Sequence, residues 1–230
     1  MSENMIVIDE SNFTGKIIKK NKDVYFYKNG MVHNDEGPAI LRFNGDKEYY
    51  KNDKLHRING PAIEKVNGDV YYYKKGKLHN DNGPAVITKT TTTLTELYYI
   101  NNLLSREDGP AEIVKMQYSS HKYFYYKNIY LGSNLKDFTK VLNDYKANLL
   151  LNKIKKKVKR DFKNKTGEFK IYTAQVSIKN GNIHNDDKEA VSEDSLNFKS
   201  WFLNGKSYGN SGKNYNQKQF TKDISKQWLK

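Results

Sequence analysis

The sequence contains no cysteine, which excludes disulfide staples and thiolate metal centres and makes a reducing, intracellular compartment the simplest expectation. Arginine is confined to Arg42, Arg57, Arg106 and Arg160, so the planar fork that reads base edges is nearly missing from a chain of formal net charge +14. No apolar run approaches the roughly 18 residues of a membrane span, and the short run Ile6-Val7-Ile8 is too brief for a signal segment. There is no phosphate-binding glycine loop and no Gly-x-Ser-x-Gly. No Ser, His and carboxylate trio stands out either, so the reading is of a non-enzyme without a cofactor. Aliphatic content is also low. Hydrophobic residues make up 37%, eighteen residues are tyrosine, and the mean hydropathy is -0.90, which suits shallow stacked layers better than one large core.

Proline is scarce as well, yet its four copies are ordered. Pro38, Pro61, Pro84 and Pro110 all lie in one pattern: His33-Asn-Asp-Glu-Gly-Pro-Ala39, His56-Arg-Ile-Asn-Gly-Pro-Ala62, His79-Asn-Asp-Asn-Gly-Pro-Ala85 and Ser105-Arg-Glu-Asp-Gly-Pro-Ala111. The first three copies are 23 residues apart and the fourth follows after 26, a fixed-period repeat. Each His is preceded by an aromatic cluster, as in Tyr25-Phe26-Tyr27, Tyr49-Tyr50, Tyr71-Tyr72-Tyr73, Tyr98-Tyr99 and Phe124-Tyr125-Tyr126. Asn44-Gly45-Asp46 and Asn67-Gly68-Asp69 fall between β-prone runs, a strong hairpin signal. One repeat is therefore expected to be one hairpin: Ala39 to Phe43 outward, Lys47 to Lys51 back, and a further turn at Asn52-Asp53-Lys54. The run Thr88 to Thr95 is expected to lengthen a hairpin tip or form a bulge.

From Leu135 to Phe162 the apolar spacing changes to three and four, which predicts a helix with Ser133 or Asn134 as its N-cap and lysines on its other face. A worn repeat follows. Ile178-Lys-Asn-Gly-Asn-Ile-His184 matches Tyr27-Lys-Asn-Gly-Met-Val-His33, with Lys188-Glu189-Ala190 in place of Gly-Pro-Ala. Phe220, Ile224 and Trp228 mark a second helix. The expected fold is mainly β with two helices, an elongated antiparallel meander of stacked hairpins. Its parts are a repeat array over 1–132, a Lys-rich cap or linker helix over 133–165, a degenerate repeat module over 166–215 and a capping helix over 216–230.

The period and the aromatic-x-Asn-Gly-x-x-His-x-x-x-Gly-Pro-Ala pattern resemble MORN-like repeat proteins, in the divergent His/Gly-Pro-Ala variety of large DNA viruses and bacteriophages. The resemblance covers about residues 14 to 131 well and 172 to 208 weakly. It implies stacked hairpins used for protein association, no catalytic residues, and a location in a host cytoplasm or a virion.

Two surfaces are candidates for function. Tyr27, Tyr50, Tyr73, Tyr99 and Tyr126 are expected on one sheet face, with Phe26, Tyr49, Tyr72, Tyr98 and Tyr125 on the other, so one aromatic column is left to dock a protein. Lys153, Lys155, Lys156, Lys157, Lys159 and Arg160 form the alternative, a stripe for nucleic acid or another polyanion. His33, His56, His79 and His184 read as turn-stabilising residues. Successive copies are two strands, roughly 9 to 10 Å, apart, too far for two rings to hold one ion at ~2 Å. A protein partner is the first expectation and a nucleic acid the second.

Overall fold

The computed structural model describes residues 12–185, 189–196, 198–203 and 206–210. The chain divides into two compact units, residues 1–138 and 139–230. The helix predicted over 216–230 lies outside the described residues.

In the first unit β1 (Gly15–Ile18) and β2 (Val24–Lys28) pair, and β3 (Met31–Val32) folds back on the end of β2. Next come β4 (Ile40–Leu41), β5 (Lys47–Glu48), β6 (Tyr50–Lys51) and β7 (Lys54–Leu55). The same quartet returns as β8 (Ile63–Glu64), β9 (Val70–Tyr71), β10 (Tyr73–Lys74) and β11 (Lys77–Leu78). A longer version follows as β12 (Val86–Lys89), β13 (Thr93–Leu97), β14 (Tyr99–Ile100) and β15 (Leu103–Leu104). Finally β16 (Glu112–Met116), β17 (Ser120–Tyr126) and β18 (Ile129–Ser133) complete a long antiparallel meander. Its order is β1-β2-β4-β5-β8-β9-β12-β13-β16-β17-β18, with β3 beside β2.

The expected single hairpin per repeat is corrected here, because each repeat carries two. The returning strand breaks at Tyr49, and again at Tyr72 and Tyr98, so β6–β7, β10–β11 and β14–β15 are separate two-stranded ribbons. At the break the backbone changes partner. Tyr49 donates its N–H to the Ala62 carbonyl and accepts the His56 N–H, and Tyr72 and Tyr98 do the same with Ala85/His79 and Ala111/Ser105. The two turns differ in kind. At the Asn-Gly tip, Gly45 and Gly68 donate to the carbonyls of Arg42 and Lys65 with φ of 96° and 88°, a three-residue loop ending in a glycine bulge. At the ribbon tip two residues both have positive φ, as in Asn52 and Asp53 or Asn101 and Asn102, the type I′ geometry that matches strand twist. The threonine run lengthens β12 and β13 and turns through Thr91 and Thr92.

Ala39, Ala62, Ala85 and Ala111 are 0% exposed. Each donates to one neighbouring strand and accepts from the strand on its other side, as Ala62 does with Tyr71 and Tyr49. Gly-Pro delivers the chain to that crossing, where the alanine methyl is fully enclosed.

The second unit is built on one helix, α1 (Phe138–Asp161), and an antiparallel sheet. Its strands are β19 (Gly167–Ile171), β20 (Ala174–Lys179), β21 (Asn182–Ile183), β22 (Val191–Glu193), β23 (Phe198–Leu203) and β24 (Lys206–Asn210). Ala147, Leu151, Ile154 and Val158, at helical spacing, bury against Ile171, Val176, Ile178, Val191, Phe198 and Phe202. The helix therefore covers this sheet rather than serving as a linker. It begins later than expected: Ser133 ends β18, Asn134 has φ of 50°, and Asp137 is the residue before the first turn. No helix among the described residues is long and apolar enough to cross a membrane.

Candidate functional site

Two sets of side chains tie each repeat of the first unit to the next. On the Asn-Gly edge Asp23, Asp46 and Asp69 each accept a backbone N–H one repeat on, from Phe43, Val66 and Lys89, at 2.8 Å in all three. Asp23 and Asp46 are buried. The Phe43 N–H and then the Arg42 guanidinium hold the Asp23 carboxyl below the usual carboxylate range, and Val66 does the same for Asp46. Sequence reasoning marked Asp46 and Asp69 as turn residues only. Their recurrence at the repeat period was the available signal for more.

On the opposite edge the histidines act across repeats. Nδ1 of His56 and His79 accepts the backbone N–H of Lys75 and Asn101, each at 3.3 Å, and Nδ1 of His33 meets the Asn52 side-chain oxygen at 2.6 Å with the Asn52 backbone nitrogen 3.3 Å away. Nε2 of His33 and His79 meets Asp35 and Asp81 at 2.8 and 2.7 Å. Lys28, then His33, draws the Asp35 carboxyl down to about 2. His56 has Ile58 where the others have an acid. Burial, then Lys51, Lys75 and Lys74, lowers its imidazole from the ordinary value. His184 is buried in the second unit, and its N–H donates to the Ser177 carbonyl as His33 donates to Phe26. Among the described residues no group of three or more His, Asp and Glu could hold a metal ion.

The loops that carry these histidines wall a series of clefts floored by tyrosine. One lies between Asn34–Gly37 and His56–Asn59, over Tyr49 and Tyr50, and another between Asn80–Gly83 and Ser105–Asp108, over Tyr98 and Tyr99; each has a volume of about 330 Å³. A third, of about 400 Å³, contains Phe26, Tyr27 and His33. Arg57 and Arg106 lie over the Tyr49 and Tyr98 rings at 3.8 and 4.1 Å, cation–π contacts that sequence reasoning missed. Ile58, 81% exposed, borders the first cleft, and Ile100, 44% exposed, borders the second.

The predicted tyrosine column is distributed along this edge. Tyr27, Tyr50 and Tyr99 line clefts, and Tyr73, at the same repeat position, is half-buried. Burial, then Glu48 beside it, pushes the Tyr50 hydroxyl up to about 12. Tyr126 is out of register. Counted from the preceding strand, Ala111 donates to Tyr123 as Ala85 donates to Leu97, and Tyr125 pairs with Tyr130 as Tyr99 pairs with Leu104, so Tyr126 corresponds to Ile100. The Arg106 N–H accordingly bonds the Tyr125 carbonyl, where Asn80 bonds Tyr99.

The predicted cationic stripe is split. Lys157 and Arg160 both bond Asp161, at 2.7 and 2.6 Å, and hold its carboxyl far below the ordinary range. Lys153, Lys155, Lys156 and Lys159 are exposed, with the Lys155 ammonium 5.0 Å from the Phe202 ring centre. Searches with the whole chain match no protein-family model and no curated protein.

Proposed function

We propose that the chain is a non-enzymatic interaction protein whose first unit, a MORN-like array of stacked hairpin repeats, seats an extended segment of a protein partner along its tyrosine-floored clefts. The observation that carries this reading is the recurrence of one tyrosine-floored cleft at equivalent places, with an exposed isoleucine on the loop wall of one, Ile58, and beside the floor tyrosine of the other, Ile100. Aromatic floors beside exposed aliphatics are the composition of binding hot spots, and a strand-like segment could present side chains at the repeat spacing. The His and Asp side chains that would otherwise suggest catalysis are engaged in bonds within and between repeats.

Affinity capture with the full chain, compared with Ile58→Asp and Ile100→Asp, tests this. Both residues are exposed, so folding should be retained, while a partner held through the clefts should be lost from both variants and survive moderate salt. A captured protein held equally by wild type and variants would refute the cleft reading. A second reading, sequence-independent binding of nucleic acid through α1, draws support from the exposed Lys153, Lys156 and Lys159, which pair with no carboxylate among the described residues. Binding of that kind should weaken linearly in log–log terms as salt rises, with a slope set by the phosphates neutralised.

A further inference from the structure

The second unit contains a cleft of about 500 Å³ where the end of α1 meets the turn between β20 and β21. Val158, Ile183 and Phe202 form its apolar side, and Asn164, Asn180 and Asn182 contribute amides. Lys155, Lys159 and Lys163 stand around it, none paired with a carboxylate among the described residues. The neighbouring cations Lys157 and Arg160 are occupied by Asp161, an ion pair in which the ammonium groups at the cleft take no part.

The walls are braced by backbone contacts. Gly181 donates to the Lys165 carbonyl at 2.9 Å, and Asn180 donates to the Thr166 hydroxyl at 3.0 Å. Any Cβ at Gly181 would come within 2.9 Å of the Asn164 nitrogen and 3.1 Å of the Phe162 carbonyl. Bracing of this kind orders the lysine-bearing segment before a ligand arrives, which lowers the cost of binding.

We propose that this cleft is a binding site for a nucleotide-sized organic phosphate, its phosphates held by Lys155, Lys159 and Lys163 and its apolar body lying toward Val158, Ile183 and Phe202. Lysine suits a phosphate group as a mobile point charge, and the volume falls within the usual range for small-molecule sites. The three asparagines supply donors and acceptors for a polar ring or sugar. The site is independent of the protein-docking role given to the first unit.

Isothermal titration of the full chain with ATP, and in parallel with inorganic pyrophosphate, tests the proposal. ATP should bind at one site per chain and more tightly than pyrophosphate. Lys159→Gln and Lys163→Gln should each weaken ATP binding about tenfold, the scale of one lost charge-assisted bond. Lys153→Gln and Lys156→Gln remove charge from the same helix away from the cleft and should leave affinity within about twofold. Melting temperatures equal to wild type establish that the variants are folded. Equal losses from both pairs, equal affinity for ATP and pyrophosphate, or no heat of binding would each overturn the proposal.

Discussion

At the scale of single residues, position within the repeat decides what a side chain does. His56 shows this, because it performs the Nδ1 bond of its counterparts without their acid and among lysines. Its imidazole is lowered in the folded state, so the unfolded chain takes up the proton first as pH falls. The resulting stability is complete above the ordinary histidine value near 6.5 and declines below it. Equilibrium denaturation of His56→Asn should therefore show a shallower loss between pH 7 and pH 5 than wild type. The aspartates contribute the same sign in a lower window. Asp35 and Asp46 are depressed, so their contribution is present above the ordinary carboxylate range and is lost as pH falls through their folded values. The alanine crossings are a matter of volume. Ala62→Leu would force several methyl-sized groups into a site with no exposed surface, and chemical denaturation should register a cost of about 1–3 kcal/mol.

Among elements, what was legible in the sequence is what depends on local turn chemistry and periodicity. The Asn-Gly tips, the ribbon turns, the threonine extension and the helix all follow from residues within a few positions of one another. The break at Tyr49 does not, since it arises when a backbone N–H bonds Ala62 in the following repeat, and no local pattern marks a change of partner. The helix start was misplaced because Leu135 continues the helical spacing, although its side chain lies against Gly132 of β18 rather than within a helical turn. The tyrosine column was legible as a period, but Tyr123-Phe124-Tyr125-Tyr126 offers four consecutive aromatics, and only the backbone bond from Ala111 to Tyr123 fixes Tyr125 rather than Tyr126 as the column's member. The aspartate links make a testable case at this scale. Asp46→Ala removes the acceptor for the Val66 N–H and the partner of Lys65, and should cost about 1 kcal/mol, read as a lower melting temperature. Asp46→Asn retains an acceptor and should recover part of that loss.

Taken as a whole molecule, the chain uses one opening twice. Thr14 accepts the Asn29 N–H at 2.9 Å and Thr166 the Asn180 N–H at 3.0 Å, while Gly30 and Gly181 donate to Phe13 and Lys165. The difference lies in what completes each unit: further hairpins in the first, a helix in the second. The buried cluster of the second unit is drawn from residues between Ala147 and Phe202. A fragment comprising residues 134–230 should therefore retain helical circular dichroism and melt cooperatively, and loss of both would show that this cluster does not suffice for folding.

The links of the first unit run from one repeat to the next and bypass none, on the aspartate edge and the histidine edge alike. Under tension this makes the array a ratchet of similar catches in series. Drawn out by an optical trap from its ends, it should lengthen in discrete steps, each releasing 23 residues, or roughly 80 Å of contour at ~3.5 Å per residue. The step containing the threonine extension should be longer by its three added residues, a built-in fiducial mark on the force trace.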